Sequence, residues 1–318
     1  MSGPMMAGAD EFSEIARLFR PLTGGAAGAF DLLDDAAVLP SRPGFEVVVT
    51  TDAMVEGVHF LSGEDPVLVA RKLVRVNLSD LAAKAAEPFG AFLTVCWSPA
   101  CGPDERAAFA GGLGEDLQAF GVALMGGDTS RTPGPFTANL TALGWIPQGR
   151  MVRRAGARPG DIVAVSGTVG DGALGLAVAR GEIADPDGYL AGRLGLPTPR
   201  LNLREALLAH ATAAADVSDG LVADAGHIAT ASGVALELDL DRMPLSPAAA
   251  AWREAQPDRA AALLRLATGG DDYEVVATFR EPPPNGFVAI GHIRSGSGVT
   301  VTAGGRPMAV AQAGWRHL

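Results

Sequence analysis

Apolar positions recur along the chain in two rhythms. Phe12, Ile15, Ala16 and Phe19 follow a spacing of three and four, which predicts a helix opened by Asp10-Glu11 and stopped by Pro21. The same rhythm predicts a long helix over 66–86. There Val67, Leu73, Val74, Leu78, Leu81 and Ala82 supply an apolar face, and Asn77 and Asp80, three apart, share another. Further helices are expected over 104–120, 173–180, 203–211 and 221–232, with Trp252 and 260–267 as core helix. Short β-branched or apolar runs predict strands over 89–97, 122–125, 136–146, 161–166, 234–240, 275–279, 287–293 and 299–301. The run 47–49 reads as a buried strand ending at Thr50-Thr51-Asp52, and 36–39 as a short strand after Asp34-Asp35. Residues 23–28 read as a mobile Gly/Ala loop. The arginine-rich turns of 147–160 separate an N-terminal domain, 1–148, from a C-terminal one, 149–318.

Composition narrows the class. The chain has 318 residues, 48% of them hydrophobic, enough for two domains with cores of their own. No apolar run approaches the ~20 residues of a membrane span, and 1–12 carries neither a basic nor an apolar export signal. Cys96 and Cys101 fit neither a disulfide framework nor a zinc pattern, so a reducing cytoplasm is the expected setting. A net charge of −11 argues against nucleic-acid and acidic-membrane partners. Lys72 and Lys84 are the only lysines, and neither follows a phosphate-binding Gly-rich loop. Phosphate charge would have to meet arginine, backbone N–H groups or a metal held by carboxylates.

Acids and hydroxyls cluster at the ends of expected elements. Asp34-Asp35, Thr50-Thr51-Asp52, Gly127-Asp128-Thr129, Asp216-x-Ser218-Asp219 and Gly270-Asp271-Asp272 are five such places, and the helical Asn77/Asp80 pair is a sixth. Each alone reads equally as an exposed turn or a helix cap. Together they form a set of hard oxygen donors with no matching His/Cys cluster, which suits Mg²⁺ beside phosphate. The turn 167–172 could hold an anion at a helix N-terminus, but Asp171 sits where the cap belongs and would repel it, so a structural role is expected there.

In order along the chain, DDAAVL, TTDAMVEGVHF, NLSDLAAKAA, GGDTSR, RRAGARPGD, VSGTVGDGALGL, DVSDGLVADAGH and GGDDYE resemble the thiamine-monophosphate kinase family. That family belongs to the aminoimidazole ribonucleotide synthetase and selenophosphate synthetase superfamily. The resemblance implies an α+β protein of two domains with mixed sheets and packed helices. The N-terminal one would bind ATP and Mg²⁺ and dimerise; the C-terminal one would complete the active-site cleft. It implies ATP- and Mg²⁺-dependent phosphorylation of thiamine monophosphate by a homodimer. Asp35, Thr50, Thr51, Asp52, Asp80, Asp128, Asp216 and Asp219 match metal ligands, with Asp35, Asp52, Asp128 and Asp216 central to catalysis. Gly127, Asp128, Arg154 and Ser218 match nucleotide contacts, and His59, Asp271 and Trp315 match substrate contacts. Against the family pattern, Leu33 stands for a glycine, Asp271 for a glutamate, Lys84 for an apolar residue, and Arg316 and Leu318 for Asp and Phe. Two other readings stay open: a sister enzyme that activates a carbonyl or amide oxygen with ATP, and a non-catalytic acidic metal-binding protein.

Overall fold

The computed structural model describes residues 11–315. Asp10, expected to open the first helix, and the terminal Arg316, His317 and Leu318 lie outside them. The chain forms two compact units: the first runs to Asn77 and includes Pro88–Trp145, and the second comprises Leu78–Glu87 and the chain from Ile146 onward.

The first unit opens with α1 (Glu11–Leu18) and two 3-10 turns, Arg20–Thr23 and Ala27–Leu32. The chain continues through β1 (Phe45–Val55), α2 (Pro66–Ala83, from Leu78 part of the second unit), β2 (Glu87–Trp97), α3 (Pro103–Ala119), β3 (Ala123–Arg131) and β4 (Thr137–Pro147, from Ile146 part of the second unit). These four described strands lie in the order β1-β4-β2-β3. Leu73 and Val74 of α2, Phe109 and Leu113 of α3, and Val95 and Leu140 of the sheet are all buried. The indole of Trp97 stacks on Phe136, and Phe109 meets both rings edge-on. Two buried carboxylates are paired: Asp116 accepts from Arg71 and Arg75, and Glu14 from Arg106.

Several expectations change here. Phe12 does not join the apolar face of α1; it is 74% exposed, while Phe19 is buried beyond the helix end. Of 47–49 only Val48 is buried, because the strand alternates and turns Val49 outward. The expected strand over 36–39 is irregular, with Val38 and Leu39 exposed. The loop 23–28 is partly built into the 3-10 turns, with Thr23 buried. Thr50–Asp52 and Gly127–Asp128 lie inside β1 and β3 and not at their ends.

The second unit follows as β5 (Ile162–Ser166), α4 (Asp171–Ala179), α5 (Tyr189–Gly195), α6 (Arg204–His210), β6 (Ala211–Asp216), α7 (Leu221–Ser232) and β7 (Ala235–Asp239). It closes with α8 (Pro247–Glu254), α9 (Arg259–Ala267), β8 (Val275–Phe279), β9 (Phe287–Arg294), β10 (Gly298–Ala303) and the short β11 (Arg306–Pro307). The described strands form a seven-stranded sheet, β11-β10-β7-β9-β5-β8-β6. The β7–β10 pair is parallel and the other pairs are antiparallel. All five residues of β8, which lies between β5 and the edge strand β6, are buried, as a strand covered on both faces requires. Val163, Val165, Ile228, Leu236, Leu266 and Ile290 join one apolar core. Helices set against a mixed sheet make the architecture α+β. The short helix α5 has no counterpart in the sequence reading.

Candidate active site

In the first unit, Asp34 and Asp35 follow the 3-10 turn in which Phe30, Asp31 and Leu32 all take left-handed φ, 47, 54 and 56°. Leu33, which stands where the family pattern has a glycine, has φ −105°, which any residue adopts without strain. Asp34 and Asp35 line a cavity of about 630 Å³ together with Thr94 of β2 and Gly127, Asp128 and Thr129 of β3. Phe12, Phe19 and Met125 form part of its apolar wall. Gly127 pairs with Leu93 on the parallel neighbour, and a Cβ there would lie 1.9 Å from the Leu93 carbonyl oxygen. Only glycine lets β3 pass this close while delivering Asp128 to the cavity.

Thr50, Thr51 and Asp52 occupy the other edge of that sheet, with β4 and β2 between them and Asp128. They are not among the residues lining the cavity. Thr51 Oγ1 bonds the Asn139 side chain and Thr141 Oγ1 on β4. The Asp52 N–H donates to Asn77 Oδ1 at 3.0 Å, and Asn77 Nδ2 donates to the Leu73 carbonyl at 2.9 Å. Asn77 is thus a buried brace for β1. In the turn after β1, His59 Nδ1 accepts from the Val55 N–H at 3.0 Å, which places the proton of a neutral ring on Nε2.

In the second unit, Asp216 ends β6 and is buried. Ser79 Oγ donates to its Oδ2 at 3.0 Å. Burial pushes the Asp216 carboxyl well above the usual carboxylate range, and Asp80 and Asp224 push it further; Lys84 and the Ser79 bond oppose them. Lys84 donates from Nζ to the Ala214 carbonyl at 2.7 Å. Burial lowers its pKa to about 8; Asp216 and Asp80 resist that shift, and Arg154, whose side chain is exposed, adds to it.

Asp219, Asp224 and His227 bring one ligand atom each within 4.8 Å of one another. Asp224 accepts from the N–H groups of Asp219 and Gly220, both at 3.1 Å. Burial first, then Asp219, push its carboxyl up to about 7 against those bonds and Arg154. Asp224 and His227 escaped the sequence reading although their i, i+3 spacing on α7 puts them on one face. Ser79 gave no signal, since a helical serine is ordinary. The oxygen-rich donors and the excess negative charge around Asp216, which burial makes costly, fit a hard divalent cation.

The loop 269–274 is tied to the acids by backbone bonds. The N–H of Asp271 donates to the Ser218 carbonyl and that of Tyr273 to Val217, both at 2.8 Å; the Trp315 N–H donates to Asp219 O at 2.9 Å. Trp315 leaves 52% of its surface exposed. Asp271 and Tyr273 both have left-handed φ, 60 and 53°. Between them the buried Asp272 accepts from the N–H groups of Gly170 and Gly172 at 2.8 and 3.0 Å. Those donors at the start of α4 are thus occupied by a side chain. Asp171 accepts from Thr168, Tyr189 and Ser246, and Glu274 from Ser166, Arg193 and Arg200. The turn 167–172 is a structural knot, as its acid implied.

Two successive α+β units whose acids sit on strands and at helix starts define a class. Residues 33–146 match the AIR synthase related protein N-terminal domain, and 158–282 its C-terminal domain. Within that class, the thiamine-monophosphate kinase of Caulobacter vibrioides is 51% identical over 99% of this chain and 93% of its own length. That of Escherichia coli is 38% identical over 89% and 87%. The structure of thiamine-monophosphate kinase from Stenotrophomonas maltophilia superposes with a TM-score of 0.76 at 37% identity, covering 87% of this chain and 91% of the other. AaThiL complexed with AMPPCP and TMP gives 0.78 at 29% identity, covering 99% of both chains. The chain belongs to the thiamine-monophosphate kinase family.

Proposed function

We propose that this protein transfers the γ-phosphoryl group of ATP to the phosphate of thiamine monophosphate, yielding ADP and thiamine diphosphate. The observation that carries the reading is the buried Asp216 carboxylate, braced by Ser79 with Asp80 in electrostatic reach: a concentration of negative charge that calls for cations beside phosphate. The complex of the related AaThiL with AMPPCP and TMP supports the choice of substrates.

Donor and acceptor are both polyanions, so the main barrier is to bring them together in line. Mg²⁺ ions held by Asp35, Thr50, Thr51, Asp52, Asp80, Asp128, Asp216 and Asp219 would offset that repulsion when bound. Gly127, lacking a side chain, leaves the backbone beside Asp128 approachable by phosphate. The exposed Arg154 guanidinium and the Ser218 hydroxyl would serve as further nucleotide contacts. A phosphate monoester is already largely ionised at neutral pH, so the acceptor needs no general base. His59 fits this: with Nδ1 engaged by Val55, it can donate from Nε2 to a substrate oxygen. Asp271 would meet the substrate's cationic portion, and the exposed ring of Trp315 its aromatic end. The working form would be a cytoplasmic homodimer joined through strands of the N-terminal domain, where β1 turns Val49 outward.

The test is an ATP/Mg²⁺ assay that resolves thiamine diphosphate directly, with free thiamine as control acceptor. Stoichiometric ADP and thiamine diphosphate from the monophosphate alone is the expected result; ATP binding without that product would assign the chain to a sister activity. Asp35→Asn and Asp128→Asn should each lower turnover by about 10²-fold or more with an unchanged melting temperature. Near-normal turnover would remove either residue from the site.

A further inference from the structure

We infer that Lys84 is a resident cation of the acidic site, holding Asp80 and Asp216 together before a divalent ion arrives and competing with that ion for their charge. The inference rests on the proposed metal-binding role of those two acids and adds a residue that weakens the binding.

The geometry fixes Lys84 where such a charge acts. It directly follows α2, and its N–H closes a last helical turn on the Asp80 carbonyl at 3.1 Å. Its own carbonyl accepts from the Val152 N–H at 3.4 Å. Its Nζ reaches the Ala214 carbonyl at 2.7 Å, two residues before Asp216 on the edge strand β6. The ammonium is therefore held beside the strand that carries one acid, on the chain turn that carries the other. Ser79, five residues earlier, holds the Asp216 carboxylate itself. Asp80 and Asp216 repel one another across a poorly solvated space, and Lys84 attracts both while Arg154 repels it. A positive charge bound covalently in this position offsets part of the repulsion without any ion having to bind. A divalent ion entering the same acids must then approach a fixed ammonium, and the two cations oppose each other.

This assigns Lys84 a positioning and affinity-setting role. It is distinct from a purely structural tie between helix and strand, which would affect folding alone. Lys84→Met keeps the length of the side chain and removes its charge; Lys84→Arg keeps the charge. The measurement is Mn²⁺ binding to the full-length protein by titration calorimetry or electron paramagnetic resonance, restricted to the sites that Asp216→Asn abolishes. Melting temperatures are recorded in chelator and in Mn²⁺. Lys84→Met should bind Mn²⁺ about tenfold more tightly, melt lower than wild type in chelator, and regain most of that loss in Mn²⁺. Lys84→Arg should stay within about twofold of wild type. Unchanged or weaker Mn²⁺ binding by Lys84→Met overturns the inference, as does an equal melting deficit with and without the ion. If the wild type itself shows no Mn²⁺ binding that depends on Asp216, the metal role of Asp216 fails first and the inference with it.

Discussion

Asp272 is buried with both carboxyl oxygens on backbone N–H groups, while the Arg193 guanidinium donates to its backbone carbonyl at 3.2 Å and not to the carboxylate. Burial pushes its pKa from an ordinary 3.8 up to about 8; Asp171 adds to the rise, while the Gly170 and Gly172 bonds and Arg193 oppose it. A carboxyl raised on folding binds its proton more tightly in the native state. Its stabilisation is therefore complete below about pH 4 and is lost as pH climbs through about 8. Wild type should exceed Asp272→Asn by about 2 kcal/mol at pH 5 in urea unfolding, and that margin should shrink by pH 9. A margin independent of pH would mean that Asp272 stays ionised throughout. The motif Gly-Gly-Asp-Asp-Tyr-Glu marked this loop as chemical. It did not say which acid faces inward. That is decided by the left-handed φ of Asp271 and Tyr273, which turn Asp272 towards α4 while the backbone N–H of Asp271 pairs with Ser218.

At the scale of elements, helix positions were legible because apolar spacing reports burial on one face. The helix Leu221–Ser232 and the strand Val275–Phe279 occur as the pattern predicts. Strand ends were less legible. β1 and β3 continue through the Thr/Asp and Gly/Asp segments that read as strand ends, because ladder pairing with neighbours can keep a polar stretch extended where propensity alone does not. Gly127 is where this matters most, since β3 passes Leu93 at a distance no side chain allows. Gly127→Ala should force β2 and β3 apart, cost about 3 kcal/mol in denaturant unfolding, and lower turnover by displacing Asp128. A variant of normal stability and activity would show that the strands give way cheaply. Asn77 shows the same: counted with Asp80 among the candidate oxygen donors, it is buried and braces the backbone of Asp52 from inside.

For the whole molecule, light scattering should return twice the mass of one chain, and a charge or proline placed on β1 at Val49 should lower it; a monomer at micromolar concentration with full activity would refute the proposed dimer. The sequence by itself determined the family, the α+β alternation, the list of oxygen donors and the absence of a lysine-bearing phosphate loop, since these depend on residue type, order and local period. Only the tertiary structure decided which donors meet. It sets Asp35 with Asp128 around one cavity, leaves Thr50–Asp52 at the other edge of that sheet, and puts Asp80, Asp216 and Lys84 within one another's field. The physical reason is that proximity between residues far apart in the chain comes from strand order and close packing, and burial then sets the charge each group can bear.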